Sequence, residues 1–231
     1  MTAPLRVINP NSSAHVTAAI ERAAAPFRAA GHAIACVAMA DGPAGIETEA
    51  DLVAAVGPML RYAAAHADDS AGFVIACFGD PGLHLMRERF GRRVYGIAEC
   101  GVLAALMAGE RFGVISILQP AVARHRRSFA AMGVTQRLAG DRAIGMGVAR
   151  LGDHETVLTR MAETGERLIA EDGADVILMA GAAMSAVREA LEARLGVPVI
   201  DPTQAALAMA TGFAPLHAAG PASSGVAPSP S

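Results

Sequence analysis

Cysteine is scarce in this chain of 231 residues: there are three, Cys36, Cys77 and Cys100. They form no CxxC pair and no zinc-ligand spacing, which argues against a disulfide framework and against a structural metal. The seven histidines are scattered rather than clustered in sequence, so no metal site is expected. Charge of one sign is lacking as well. The net charge is -3, and Arg124-His125-Arg126-Arg127 is the one dense basic run. Neither nucleic acid nor an anionic membrane is therefore expected as a partner. The basic run reads first as a solvated helix face and second as a contact for an anionic substrate or a neighbouring subunit. No apolar stretch reaches the roughly 20 residues of a membrane span. The opening Met1-Thr-Ala-Pro-Leu-Arg6 lacks a signal-peptide core, and a cytoplasmic location is expected by default.

What is present is an alanine-rich composition, 53% hydrophobic and 18% charged, of the kind found in soluble enzymes. The length suffices to bury a substantial core, in one large domain or two small ones. Strand-like and helix-like segments alternate along it. The first half reads as strand 5–8, helix 14–30, strand 33–38, helix 48–66, strand 72–77, a helix after Pro81, strand 94–97 and helix 101–108. The helix at 48–66 shows its period in Leu52, Val53, Val56, Met59 and Leu60. The second half repeats the rhythm: strand 114–118, a helix from Gln119-Pro120 to about Met132, helix 155–171, strand 175–180, helix 185–195, strand 197–200 and helix 203–211.

Such alternation predicts an α/β fold with parallel sheets and ligands at the carboxyl ends of the strands. The turns at those ends are 9–13, 77–82, 118–120 and 181–184, and they pair across the halves, first with third and second with fourth. The expected architecture is two pseudo-symmetric Rossmann-like lobes with the active site in the cleft between them. The first lobe spans 1–100 and the second 101–202. A C-terminal helix at about 203–212 packs back on the first lobe, and 220–231 is a disordered low-complexity tail.

The paired turns differ where chemistry would sit. Strand 72–76 opens into Cys77-Phe78-Gly79-Asp80-Pro81-Gly82, whereas its counterpart opens into Gly181-Ala182-Ala183-Met184. A cysteine at a strand end before a helix lies among backbone N–H groups and near the positive end of a helix dipole, and both favour thiolate. Such a sulfur serves as nucleophile or base. As a nucleophile it would want a histidine, with His84 near in sequence and His125 a candidate in space. The bland alternative is an inert buried thiol, and the matched small-residue turns weigh against it. Cys36 and Cys100 read as packing residues. His154 reads as a surface cap, and Gly145–Gly152 lacks the spacing of a nucleotide loop.

Arg6-Val-Ile-Asn-Pro-Asn-Ser-Ser13, Cys77-Phe-Gly-Asp-Pro-Gly82 and, more weakly, Gly196-Val-Pro-Val-Ile-Asp201 resemble the hydantoin and allantoin racemase branch of the aspartate/glutamate racemase superfamily. The resemblance runs from Leu5 to about Thr211. It implies a cofactor-independent isomerase that acts on a small molecule, with no cofactor and a homo-oligomeric state. Two cysteines then flank an acidic carbon, one removing a proton and the other delivering one. Cys77 matches the first cysteine. Phe78, Gly79 and Asp80 match the turn after it, and Asn9, Asn11 and Ser12 match a turn that lines the substrate pocket. Asn11 and Ser12 also qualify as helix N-caps. Leu118 and Gln119, with Ala182 and Ala183, stand at the corresponding strand ends of the second lobe and are expected to bind substrate.

Gly181 falls where the second cysteine belongs. A water or Ser185 could relay protons to that face. Alternatively, the enzyme could be a single-cysteine decarboxylase acting on substituted malonates. The glycine could also be an introduced substitution. The leading reading is a racemase of 5-substituted hydantoins or allantoin. Behind it stand the lyase and a non-catalytic small-molecule binding homologue.

Overall fold

The computed structural model describes residues 3–217; the tail expected to be disordered lies outside the described residues. Strands β1 (Leu5–Asn9), β2 (Ile34–Ala38), β3 (Gly72–Ile75) and β4 (Val94–Gly96) form one sheet, with helices α1 (Ala14–Ala29), α2 (Glu49–Ala65) and α3 (Leu83–Phe90) between them. Strands β5 (Phe112–Ser116), β6 (Leu138–Ala143), β7 (Val176–Met179) and β8 (Val199–Ile200) form the second. Helix α4 (Ile97–Ala108) joins the sheets. Helices α5 (Gln119–Ala131), α6 (His154–Ala170), α7 (Arg188–Leu195) and α8 (Pro202–His217) complete the chain. Each sheet has four strands, in the orders β2-β1-β3-β4 and β6-β5-β7-β8, and every pairing is parallel. The identical orders make β1 the counterpart of β5 and β3 the counterpart of β7, so the protein is a pair of like α/β lobes.

The central strands Phe-Val-Ile of β3 and Val-Ile-Leu-Met of β7 are buried throughout, as expected of parallel strands covered on both faces. One apolar cluster runs through both lobes, from Leu5 and Val7 through Val114 and Leu178 to Ala206 and Leu207. Ile8, Met59, Phe73 and Ile75 build a second cluster on the other face of the first sheet. Helix α8 packs against α4 and α1, and α1 packs against the 3-10 turn Ala182–Val187 of the second lobe.

Several elements depart from the expected layout, among them a last strand confined to Val199–Ile200 and a helix that begins at Arg188 after the 3-10 turn Ala182–Val187. Strand β6 was missed because Leu-Ala-Gly-Asp-Arg-Ala carries no apolar run. It is an edge strand, half-buried throughout, placed by its pairing with β5. Helix α4 begins at Ile97, where strand was expected. Its first N–H groups are satisfied from a distance: Asp80 accepts from Ala98 N at 3.0 Å and from Glu99 N at 2.8 Å. Strand β5 ends at Ser116 rather than Leu118. At the start of α6, Asp153 is the cap, accepting from Thr156 N at 3.3 Å, and His154 is simply the first helical residue.

Candidate active site

The carboxyl ends of the strands in both lobes meet around a cavity of about 70 Å³. Ala76, Cys77, Phe78 and Gly79 enter it from the end of β3, and Ala180, Gly181, Ala182 and Ala183 from the end of β7. Asn11 comes from the turn after β1 and Ile117 from the end of β5, while Arg124 and His125 come from α5. Ile46 and Leu52 of the first lobe face Val148 and Leu151 of the second across its mouth. The lobes are tied there by Glu47 Oε1, which accepts from Val148 N at 2.7 Å, and by His15 Nε2, 2.9 Å from Val148 O. A roomier hollow lies at the opposite strand ends, beside Leu5, Ala33 and Ala71. That is not where parallel α/β sheets place their chemistry.

Cys77 follows β3 after one residue, Ala76, and the buried run of the strand delivers it to the cavity. The turn after it folds onto itself: Gly79 N and Asp80 N donate to Cys77 O at 2.8 and 3.0 Å. Asp80 takes a left-handed φ of 43°, which aspartate tolerates better than most residues. Its carboxylate turns away from the cavity to hold the start of α4. The expectation of a stabilised thiolate therefore fails for a structural reason. The nearby N–H groups serve the carbonyl of Cys77 rather than its sulfur, and α3 begins only at Leu83. Burial, reinforced by the charge of Asp80 and opposed by Arg124, pushes the thiol up to about 12. Cys77 is a neutral thiol at neutral pH. Burial likewise pushes Asp80 up to about 7, against the pull of its two N–H donors. Cys36 and Cys100 lie away from the cavity, and burial raises both to about 12.

Gly181 stands opposite in the topology, at the equivalent strand end. Its φ of 171° is ordinary extended backbone. A Cβ there would meet only Met184 Cε at 3.3 Å and Ile117 Cγ2 at 3.9 Å. Nothing in the backbone or the packing requires glycine at this position.

Of the expected binding residues, Asn11, Phe78, Gly79, Ala182 and Ala183 line the cavity with Cys77 and Gly181. Asn11 Oδ1 accepts from Ser13 N at 2.9 Å, which leaves its Nδ2 free to donate into the cavity. Asn9 is fully buried behind that turn, its Nδ2 donating to Ser13 O at 3.2 Å and Thr17 Oγ1 at 3.0 Å. Ser12 is exposed and directed at Pro43 O. The residue at the N-cap of α1 is Ser13. Leu118 and Gln119 sit outside, at the start of α5, where Leu118 borders a neighbouring surface groove. Ser185, the candidate relay, donates to Ala182 O at 3.0 Å and does not line the cavity.

Arg124 and His125 belong to the basic run read first as a solvated face. Helical geometry splits that run: His125 is 5% exposed, while Arg126 and Arg127 face solvent. Among the described residues, no group of three or more histidines, cysteines or acids is placed to hold a metal ion. Among the described residues, no helix is long and apolar enough to cross a membrane.

Comparison with known proteins agrees with this geometry. The chain is 35% identical over 199 residues to a hydantoin racemase of Pseudomonas sp. (strain NS671), a match covering 85% of this chain and 80% of that one. The allantoin racemase from Klebsiella pneumoniae superimposes with a TM-score of 0.87 at 32% identity, covering 93% of this chain and 89% of that one. Arylmalonate decarboxylase shares the fold, with a TM-score of 0.61 at 20% identity over 92% or more of each chain (95% of this one and 94% of that one). The family described as Asp/Glu/hydantoin racemase matches residues 5–210, both lobes and the cavity between them, and the chain belongs to that family.

Proposed function

We propose that the protein is a cofactor-independent racemase whose substrate is a carbonyl-activated carbon acid, a 5-substituted hydantoin or allantoin, with Cys77 exchanging the proton on one face of the ring. The observation that carries this reading is the cavity itself. Cys77 and Gly181 occupy equivalent ends of β3 and β7 and line one small space between the lobes. The C5–H of a hydantoin is acidified by the adjacent carbonyl and ring nitrogen, so proton removal gives an enolate without an added electron sink. Asn11 Nδ2 and the Arg124 guanidinium supply donors for the developing oxyanion, and one such preorganised donor is worth about 3 kcal/mol. The apolar side chains of Ile46, Val148 and Leu151 line the same cavity, and low local polarity strengthens such contacts.

With its thiol pushed up to about 12, Cys77 enters the reaction as an acid and delivers a proton to carbon. On the other wall Gly181 has no atom to remove one. That single-thiol asymmetry favours a second reading, in which the leaving group on the Gly181 side is carbon dioxide from a substituted malonate and Cys77 protonates the resulting enediolate.

The two readings separate in one pair of assays. Incubation with a single-enantiomer 5-substituted hydantoin should abolish its optical rotation without changing its concentration, and arylmalonates should release no carbon dioxide. Stable rotation together with carbon dioxide release would replace the racemase with the lyase.

A further inference from the structure

Inverting a carbon centre takes a proton carrier on each face, and the cavity has one thiol. The cluster that supplies the other carrier lies in the second lobe, on elements that converge beneath α5. Ser116 at the end of β5 is fully buried and His125 of α5 nearly so. The Asp141 side chain, from edge strand β6, is 2% exposed. His125 Nδ1 lies 2.9 Å from Asp141 Oδ2 and 3.1 Å from Ser116 Oγ, and Ser116 Oγ donates to Asp141 Oδ1 at 2.5 Å. The carboxylate therefore fixes the tautomer, with the proton on Nδ1 and the lone pair on Nε2.

Nε2 has no hydrogen-bond partner among the described residues. The sealed side-chain nitrogens and oxygens without partners are Asp201 Oδ2 and Thr203 Oγ1, so Nε2 keeps accessible surface, and His125 lines the cavity. The ring is held edge-on by Phe78, with centroids 5.0 Å apart, and flanked by Phe129 at 5.9 Å. Burying a carboxylate beside an imidazole costs stability that an apolar trio of the same volume would not. Packing alone does not account for the arrangement.

We propose that His125, oriented by Asp141 and Ser116, is the second proton carrier of the cavity, a catalytic residue in the role for which Gly181 has no side chain. The inference rests on the racemase reading above. Cys77 lines the cavity from the first lobe and His125 from the second, and the proposal seats the substrate ring between them, one carrier to each face. His125 Nε2 takes the proton from carbon: the C–H bond breaks, an N–H bond forms, and the electron pair passes onto the carbonyl oxygen as the enolate. Cys77 then gives its S–H proton to the opposite face, and the enolate pair returns to carbon as the new C–H bond. A thiolate and an imidazolium remain. With the product enantiomer as substrate they act in reverse, thiolate as base and imidazolium as acid, which restores the neutral pair.

The test is racemisation of a single-enantiomer 5-substituted hydantoin by His125→Gln protein, alongside calorimetric binding of a 5,5-disubstituted hydantoin that has no proton to lose. Racemisation should fall by about 100-fold or more, with binding changed less than threefold. Racemisation within threefold of the unaltered protein would overturn the assignment, as would a loss of binding equal to the loss of rate. Should the variant not fold, nitrogen-15 resonances of the unaltered protein decide the matter. An Nδ1–H tautomer with unprotonated Nε2 is expected, and the reverse tautomer would overturn the proposal. An unaltered protein that does not racemise refutes the racemase reading itself, whereas unaltered protein and variant racemising alike refutes only the role of His125.

Discussion

Gly96→Ala tests how the site is held, at a residue that does not line the cavity. Gly96 ends β4, and the Asp80 carboxylate lies against its Cα. A Cβ built there falls 2.6 Å from Asp80 Oδ1 and closer still to Cγ and Oδ2, separations that real structures do not tolerate. The carboxylate must leave, and with it go its bonds to Ala98 N and Glu99 N. Leaving a buried donor without its partner costs about 1–3 kcal/mol, so orphaning both costs about 2–6 kcal/mol. Loss of glycine flexibility from the unfolded chain offsets up to about 1 kcal/mol of this. The expected net destabilisation is about 1–5 kcal/mol, read from urea unfolding at pH 5, where Asp80 is protonated in the folded protein. Because Asp80 belongs to the turn that carries Cys77, the sulfur shifts too, and turnover should fall at least tenfold on the general cost of misplacing a reacting group. Gly181→Ala is the control: its Cβ meets one flexible methionine terminus, and its stability should stay within about 1 kcal/mol. A Gly96→Ala protein destabilised by less than about 1 kcal/mol, with unchanged turnover, would refute the role given to Asp80.

Two further outcomes follow from the same geometry. Gly181→Cys, placed in the His125→Gln protein, should raise racemisation at least tenfold, because the extended backbone accepts a side chain and the flexible Met184 terminus gives way to a thiol at the strand end equivalent to that of Cys77; polarimetry showing no gain would contradict this. Asp80→Asn should flatten the pH dependence of stability. The Asp80 carboxyl titrates at about 7 in the folded protein against 3.8 ordinarily, so its stabilisation is full below pH 4 and is lost as pH rises to 7. That loss amounts to about 4 kcal/mol at 1.36 kcal/mol per unit. Identical stability slopes for the two proteins between pH 4 and 7 would exclude the shift.

The fold was legible because its information is local. Continuous apolar runs in β3 and β7, each opening into small residues, mark central parallel strands and the ends where ligands bind. The matched turns at Cys77 and Gly181 also disclosed which positions are equivalent. What escaped was non-local. Strand β6 exists because β5 offers it an edge, and it carries Asp141, so the partner of His125 was hidden along with the strand. The start of α4 is set by Asp80, a residue of a different turn. The polar residues of the first turn divide by a single bond each: Asn11 uses its oxygen within the loop and keeps its amide for the cavity, while Asn9 is consumed as scaffold. His125 was obscured by the arginines around it, since a basic run reads as one face until helical geometry turns one member inward. The thiolate expectation failed because proximity in sequence to N–H donors does not aim them at the sulfur.

The central claim is that the Cys77 sulfur passes a proton to a carbon held between the lobes. Proton NMR in deuterated water reports this directly, by the disappearance of the C5–H signal of a single-enantiomer hydantoin with the unaltered protein and with Cys77→Ser. The account predicts deuterium at C5 in step with loss of optical rotation for the unaltered protein, and racemisation at least 100-fold slower for the variant, the scale of a lost acid–base group. Equal rates of racemisation for the two proteins would contradict it.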